Sequence, residues 1–365
     1  MIHCIGHNNY IRSLAFSPNG LHLASAADDK TMRVWDVTSG TEIVRHLHTG
    51  SVMCVTYSRS GKRLATTSEH NTIRIFETDR YEMFTQLERT NDFINIVAFS
   101  PDESCLVSGA CHNDIFSDAD ADLLQVWDIA SGRVLHELIG HTDSIACVAY
   151  SSDGNYIASG SRDNSVRVWN AIDATCVAHR LHRLTVRCVA FSGADLLYSM
   201  YNQVMRWNFK SDHVALYHHI EKQSITSVDV SANNRFIIIG ALDSGVQIIE
   251  NKESGLTLRR YGGSIGTITR SALSRDEKRI AFASISALTF RNDNHITIAS
   301  VLDHSLFVNV ASVLIESGVA PYVVLDILDF ISADATTSCH AAESVFHHLD
   351  KIRTIERLRQ AIIKT

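Results

Sequence analysis

Apolar side chains recur along this chain at fixed distances from a histidine. Counting from His7, the fourth, seventh and ninth positions carry Ile11, Leu14 and Phe16. The same intervals from His48 give Val52, Val55 and Tyr57, from His141 give Ile145, Val148 and Tyr150, and from His182 give Val186, Val189 and Phe191. They persist after Thr90 (Ile94, Val97, Phe99) and Glu221 (Ile225, Val228, Val230), where the histidine is lost. From Ser264 only Ile268 and Leu273 survive. Short apolar runs of this kind, rich in β-branched and aromatic residues, predict strands. Each runs into a turn, as in Ser17-Pro18-Asn19-Gly20, Ser100-Pro101-Asp102-Glu103, Ser151-Ser152-Asp153-Gly154 and Ser274-Arg275-Asp276-Glu277. A second apolar run follows, Leu21 to Ala26 in the first case, so a hairpin is expected.

A second signal closes each unit. The run Lys30-Thr31-Met32-Arg33-Val34-Trp35-Asp36 returns with Phe76, Trp127, Trp169, Trp207 and Ile249 at the matching place, and His295 to Val301 is a degraded seventh copy. A period of about 40 to 45 residues, with Gly-His at one end and Trp-Asp at the other, is that of a four-stranded blade. The last unit supplies three strands between Ile265 and Val301, whereas Met1 to Ile5 precedes the first Gly-His. The N-terminal strand is therefore expected to complete the last blade, which leaves no exposed sheet edge between the chain ends.

On Gly6-His7, Gly140-His141 and the repeated Trp-Asp, the chain resembles the WD40 β-propeller family over residues 1–303. The resemblance implies an all-β, seven-bladed propeller, and within a blade a tetrad of His, Ser or Thr, Asp and Trp. Repeat one offers His7, Ser25, Asp29 and Trp35; repeat four offers His141, Ser159, Asp163 and Trp169. In repeat two His70 replaces the Asp, and repeats five to seven show no clear tetrad, so the second half of the ring is expected to be less regular. The resemblance also implies an upper face for docking partners. Spacing places Tyr10, Asp28, Phe93, Arg162, Arg187 and Tyr201 near it, and aromatic and arginine side chains suit interface anchors.

Beyond about residue 303 the apolar period turns helical. Val323, Val324, Ile327, Leu328 and Ile331 form one stripe, and Val345, Leu349, Ile352, Ile355, Leu358 and Ile362 another, so 304–365 is expected to be a C-terminal helical tail. Pro321, Leu325 and Leu328 have spacing similar to the first helix of an F-box, which would make the chain a ubiquitin-ligase substrate receptor. Trp35-Asp36-Val37-Thr38 and Trp127-Asp128-Ile129-Ala130 lack the arginine of cullin-ligase propellers. Arg259-Arg260 is similar to the paired-arginine motif of phosphoinositide-binding propellers, with Tyr261 displacing Gly262.

Composition narrows the rest. A formal net charge of −7 argues against bulk nucleic-acid binding, and no run approaches a membrane span or a secretory signal, so a soluble intracellular protein is expected. The eight cysteines include no Cys-x-x-Cys, which argues against zinc. Cys54, Cys147 and Cys188 share one offset, six residues after a histidine, and read as small buried residues. His218-His219 are strand neighbours facing opposite ways, a poor chelate. The third repeat carries an insertion from Cys111 to Leu124, in which Asp118, Asp120 and Asp122 mimic a calcium loop. Leu123 and Ile129 take the places of its glycine and glutamate. No nucleophile elbow, phosphate loop or zinc-protease signature is present. The expectation is a non-catalytic scaffold for protein partners, without metal or cofactor.

Overall fold

The computed structural model describes residues 2–301, apart from 70, 89–92, 112–123, 222, 243–244, 253–256, 262–266 and 286–294. The acidic insertion of the third repeat and the helices expected over 304–365 lie outside the described residues, as does His70.

After β1 (Ile2–Ile5), blade 1 holds β2 (Ile11–Phe16), β3 (His22–Ala27), β4 (Thr31–Asp36) and β5 (Glu42–Leu47). Blade 2 holds β6 (Val52–Tyr57), β7 (Arg63–Ser68), β8 (Thr72–Glu77) and β9 (Glu82–Glu88). Blade 3 holds β10 (Phe93–Phe99), β11 (Cys105–Cys111), β12 (Leu124–Asp128) and β13 (Val134–Leu138). Blade 4 holds β14 (Ile145–Tyr150), β15 (Tyr156–Ser161), β16 (Ser165–Asn170) and β17 (Cys176–Leu181). Blade 5 holds β18 (Val186–Ser192), β19 (Asp195–Met200), β20 (Gln203–Asn208) and β21 (His213–His219). Blade 6 holds β22 (Ile225–Val230), β23 (Phe236–Ala241), β24 (Gly245–Glu250) and β25 (Thr257–Tyr261). Blade 7 holds β26 (Thr267–Leu273), β27 (Arg279–Ile285) and β28 (His295–Ser300), and β1 is its fourth strand.

Each blade is an antiparallel sheet in chain order, and the seventh reads β26, β27, β28, β1. The closing pairs are Ile2↔Ile298, His3↔Thr297, Cys4↔Ile296 and Ile5↔His295. The innermost strands touch in sequence from β2 to β6 and on to β26, which touches β2 again. The ring is therefore closed, with the seven blades and the N-terminal strand where the sequence pattern puts them.

The core is not central. Buried apolar residues form seven clusters, one between each pair of neighbouring blades. Cys4, Ile296 and Ile298 of blade 7 meet Ile11, Leu14 and Trp35 of blade 1; Val166 and Val168 of blade 4 meet Val186, Val189 and Trp207 of blade 5. One position makes the approach possible. Opposite the third residue of each inner-strand motif, the second strand carries Ala26, Thr67, Gly109, Gly160, Ser199, Gly240 or Ala283. A Cβ on Gly160 would lie 2.6 Å from Val186 Cγ1 and 2.7 Å from Cys147 Sγ, and one on Gly109 would lie 2.6 Å from Ile145 Cγ2. Small side chains here let the next blade's first inner residue dock against the sheet.

All seven inner strands carry a β-bulge at the same place, with Arg12, Met53, Asn95, Ala146, Arg187, Thr226 and Thr269 as the extra residues. A bulge leaves its residue unpaired and re-aims its side chain. At the opposite end, the first hairpin turns are held by serines. Ser17, Ser100 and Ser151 each accept from the backbone N–H five residues on, of His22, Cys105 and Tyr156.

Gly160→Val is expected to lower stability by about 1–3 kcal/mol, because overpacking at the blade 4–blade 5 junction cannot be relieved by backbone on both sides. Urea denaturation checks this; an unchanged midpoint would remove the close-approach argument. Removing residues 1–5 should leave β28 an open edge, and hydrogen exchange should speed selectively in β26 to β28.

Candidate interaction face

Two blades contain a complete network built by residues far apart in sequence. In blade 1, His7 Nδ1 lies 2.8 Å from Asp29 Oδ2, His7 Nε2 lies 2.7 Å from Ser25 Oγ, and Trp35 Nε1 donates to the same Ser25 Oγ at 2.8 Å. Blade 4 repeats it with His141, Asp163, Ser159 and Trp169 at 2.8, 2.7 and 2.8 Å. The donor order follows from the chemistry of the groups. A carboxylate only accepts, so the histidine Nδ1 carries the proton; Nε2 then accepts from the serine hydroxyl, whose oxygen accepts the indole N–H. Asp29 also accepts from the Thr31 backbone N–H and hydroxyl at 3.0 and 2.6 Å. Burial alone would raise the carboxyls of Asp29 and Asp163, but the hydrogen bonds of His7 and Thr31, and of His141 and Ser165, hold both well below the ordinary carboxylate range. Burial lowers the His141 ring despite the pull of Asp163.

The glycine before each histidine belongs to the same arrangement. Arg33 stacks on Trp35 at 6.0 Å and Arg167 on Trp169 at 5.8 Å. A Cβ on Gly6 would lie 2.5 Å from Arg33 Nη1, and one on Gly140 2.6 Å from Arg167 Nη1. Gly-His is thus the pair that admits a stacked guanidinium on one side and the network on the other.

The other blades depart from this. Blade 3 keeps half, with Trp127 Nε1 donating to Ser108 Oγ at 2.8 Å, a pair that sequence inspection passed over because no histidine announces it. Blade 5 puts Tyr198 in the serine position, and Trp207 turns its N–H to Asp212 Oδ1 at 3.2 Å. Arg180 lies over Trp207 at 5.6 Å and pairs with Asp212 at 2.7 Å. Blade 6 replaces the pair with Ile239 and Ile249, both fully buried. In blade 2, both ring nitrogens of buried His48 lack a partner, and burial, with Arg74 and His46, pushes the ring down to about 3.

The upper face lies where the inner strands begin and the second strands end. Asp28, Arg162 and Tyr201 each follow directly on a second strand; Asp28 N–H donates to Tyr10 O, Arg162 N–H to Ser144 O, and Tyr201 O accepts from Ile225 N–H. Phe93 opens β10 and Arg187 is the bulge of β18. The six sequence candidates therefore share one end of the ring, spread over blades 1, 3, 4 and 5. Tyr10, Arg162, Arg187 and Tyr201 are exposed; Asp28 and Phe93 are half-buried. Asp28 is taken up by Arg12, which donates to its two oxygens at 2.7 and 2.5 Å. Exposed Arg183 and Leu184, in the connection from β17 to β18, join this face and were not singled out from sequence.

Among the described residues, no group of three His, Cys, Asp or Glu side chains is placed to hold a metal ion. His218 and His219 turn to different partners, Gln247 and Asn202. The described cysteines are free, and Cys54 and Cys147 are buried. No helix among the described residues is long and apolar enough to cross a membrane. The backbone of Arg259 and Arg260 forms part of an ordinary outer strand, paired with Ile248 and Gln247; their side chains lie outside what is described.

A closed ring of seven four-stranded antiparallel blades, with His-Ser-Asp-Trp networks inside two of them, defines a repeat propeller. Residues 1–36, 41–77 and 132–170 match the family "WD domain, G-beta repeat". The chain carries WD40 repeats and folds as a seven-bladed β-propeller. It is 24% identical over 272 residues to Apoptotic protease-activating factor 1 of Danio rerio, covering 70% of this chain and 21% of that protein. It is 30% identical over 164 residues to Serine-threonine kinase receptor-associated protein of Gallus gallus, covering 45% and 43%. To Nuclear distribution protein PAC1 of Trichophyton verrucosum it is 32% identical over 171 residues, covering 45% and 36%. The chain thus spans less than half the length of these relatives.

Ser25→Ala is expected to cost about 2–3 kcal/mol, since it strands the Trp35 N–H and one His7 nitrogen in a buried site; thermal or urea unfolding reads it. Stability should also fall as pH drops below about 6.5. His48, His141 and His182 all have folded pKa values below the 6.5 of an unfolded histidine, so the unfolded chain gains protons that the folded one refuses. For His48 the loss runs from pH 6.5 down to about 3. Asp29 and Asp163 add to the loss only below the ordinary carboxylate value of 3.8. Urea midpoints from pH 7.5 down to 4.5 should show the slope, and His48→Asn should make it shallower.

Proposed function

We propose that this chain is a non-catalytic scaffold that holds partner proteins on its upper face. The observation that carries this reading is the placing of exposed aromatic and arginine side chains, Tyr10, Arg162, Arg187 and Tyr201, on short turns and bulges above a network-locked ring. A rigid base lowers the ordering cost of binding, and Tyr and Arg are the side chains that anchor interfaces best. The ring's histidines and aspartates of blades 1 and 4 are used in structural hydrogen bonds, which leaves them without a role as acid or base. Two of the relatives are named for activating a protease and for associating with a kinase receptor, tasks performed through contacts between proteins. An intracellular setting suits the free thiols.

The test is affinity capture from cells with quantitative mass spectrometry, using the full chain. One variant combines Tyr10→Ala, Arg162→Ala, Arg187→Ala and Tyr201→Ala; a second, at the opposite end of the ring, combines Arg59→Ala and Arg275→Ala. The upper-face variant is expected to lose most specific partners at unchanged melting temperature, and the opposite-face variant to keep them. The reverse pattern would overturn the proposal.

A further inference from the structure

Blades 1 and 5 each place an arginine on the inner-strand bulge, Arg12 and Arg187, but their surroundings differ. In blade 1 the residue directly after β3 is Asp28, and its carboxylate takes both ends of the Arg12 guanidinium. The paired strand ends Ile11↔Ala27, Ile145↔Ser161 and Val186↔Met200 show that Arg162 and Tyr201 hold the position of Asp28 in blades 4 and 5. Where blade 1 supplies a carboxylate, blade 5 has an aromatic ring and blade 4 a further guanidinium. Arg183 adds a third. Asp163, beside Arg162 in sequence, is taken by His141 and the Ser165 N–H. Arg162, Arg183 and Arg187 are all exposed, and none of their side chains makes a hydrogen bond or ion pair with another described residue.

A second feature marks the same place. Tyr201 has φ of 46° in the two-residue turn between β19 and β20, a left-handed conformation that suits Gly or Asn. It shares this conformation with nine other non-glycine residues among those described, and it presents 49% of its surface on this face. Leu184, 51% exposed, lies just ahead of the strand that pairs with Tyr201's own.

We propose that this crest of blades 4 and 5 docks an acidic segment of a partner protein, its carboxylates on Arg162, Arg183 and Arg187 and an apolar side chain against Leu184 and Tyr201. The proposal rests on the reading of the upper face as a partner surface and names the chemistry of that partner. Asp28 on Arg12 shows how a bulge arginine at this place grips a carboxylate, with the two-point geometry that favours arginine over lysine. The formal charge of −7 over the whole chain disfavours a long polyanion such as RNA, while a short acidic segment meets only the local positive field.

The probes are a short fluorescein-labelled peptide alternating Asp and Glu with Leu and Phe, its counterpart with Lys at every acidic position, and a single-stranded RNA of similar length. Each is titrated with the full chain by fluorescence anisotropy. The acidic peptide alone is expected to bind, more weakly as salt rises, with affinity falling about tenfold in Arg187→Ala and in Leu184→Ser. Tyr201→Asp should abolish binding by supplying internally the carboxylate that blade 1 already has, and Arg12→Ala should leave binding unchanged. Failure of the acidic peptide to bind, equal binding of the basic peptide or RNA, or unchanged binding by folded Tyr201→Asp overturns the proposal. Partner capture that still depends on the upper face would then leave the scaffold reading standing; loss of both would remove both.

Discussion

A β-sheet with two apolar faces is stable only when both are covered, and among the described residues each blade is covered by its two neighbours. The seven buried clusters all straddle blade junctions. Trp35 packs with blade 7, Trp127 with blade 2, and Trp207 with blade 4, so the largest side chain of a blade serves the junction behind it. Such a core has no redundancy, because the loss of any one blade uncovers two others. The run of small residues from Ala26 to Ala283 follows from the same requirement. Two sheets cannot close to packing distance if the position facing the next blade's first strand carries a bulky side chain.

Polar networks are superimposed on this packing where the upper turns have to be held. In blades 1 and 4, histidine links the loop above the inner strand to the turn after the second strand, and every buried donor and acceptor in the chain of contacts has a partner. At the places of the serine and the tryptophan, blade 6 takes the other route, with buried Ile239 and Ile249 that have nothing polar to pair. Replacing a whole network by apolar groups can be close to neutral, whereas losing one member strands the rest. That distinction explains how blades of different composition coexist in one ring. His48 is one of several buried polar side chains that fit neither route, a histidine retained in blade 2 with neither nitrogen paired.

Repeat number, strand order and ring closure were legible in the sequence, because a fixed offset between histidine, inner-strand apolar residues and Trp-Asp is a covalent spacing that folding cannot change. The tetrads of blades 1 and 4 were legible for the same reason. The Ser108–Trp127 pair was not, since blade 3 lacks the histidine that draws attention to it. Nor was Asp212, whose contact with Trp207 arises only because Tyr198 fills the serine's place. The bulges escaped notice because an extra residue in one strand shows only against its partner's register. Tyr10, Arg162, Arg187 and Tyr201 could be placed on one face from spacing. Which arginines lack a carboxylate became visible only with the three-dimensional neighbours known.

The closing strand also sets an order of events in time. His3 pairs with Thr297, 294 residues later in the chain. At about 5–20 residues per second, the ribosome needs roughly 15–60 s to deliver the second partner after the first. Throughout that interval Ile2 to Ile5 is a strand without a sheet, and the apolar flank of blade 1 that will face blade 7 is open to solvent. Blades 1 to 6 can stack as they emerge, but the circle waits for β28, and until then the nascent arc is the form of this protein that chaperones would meet.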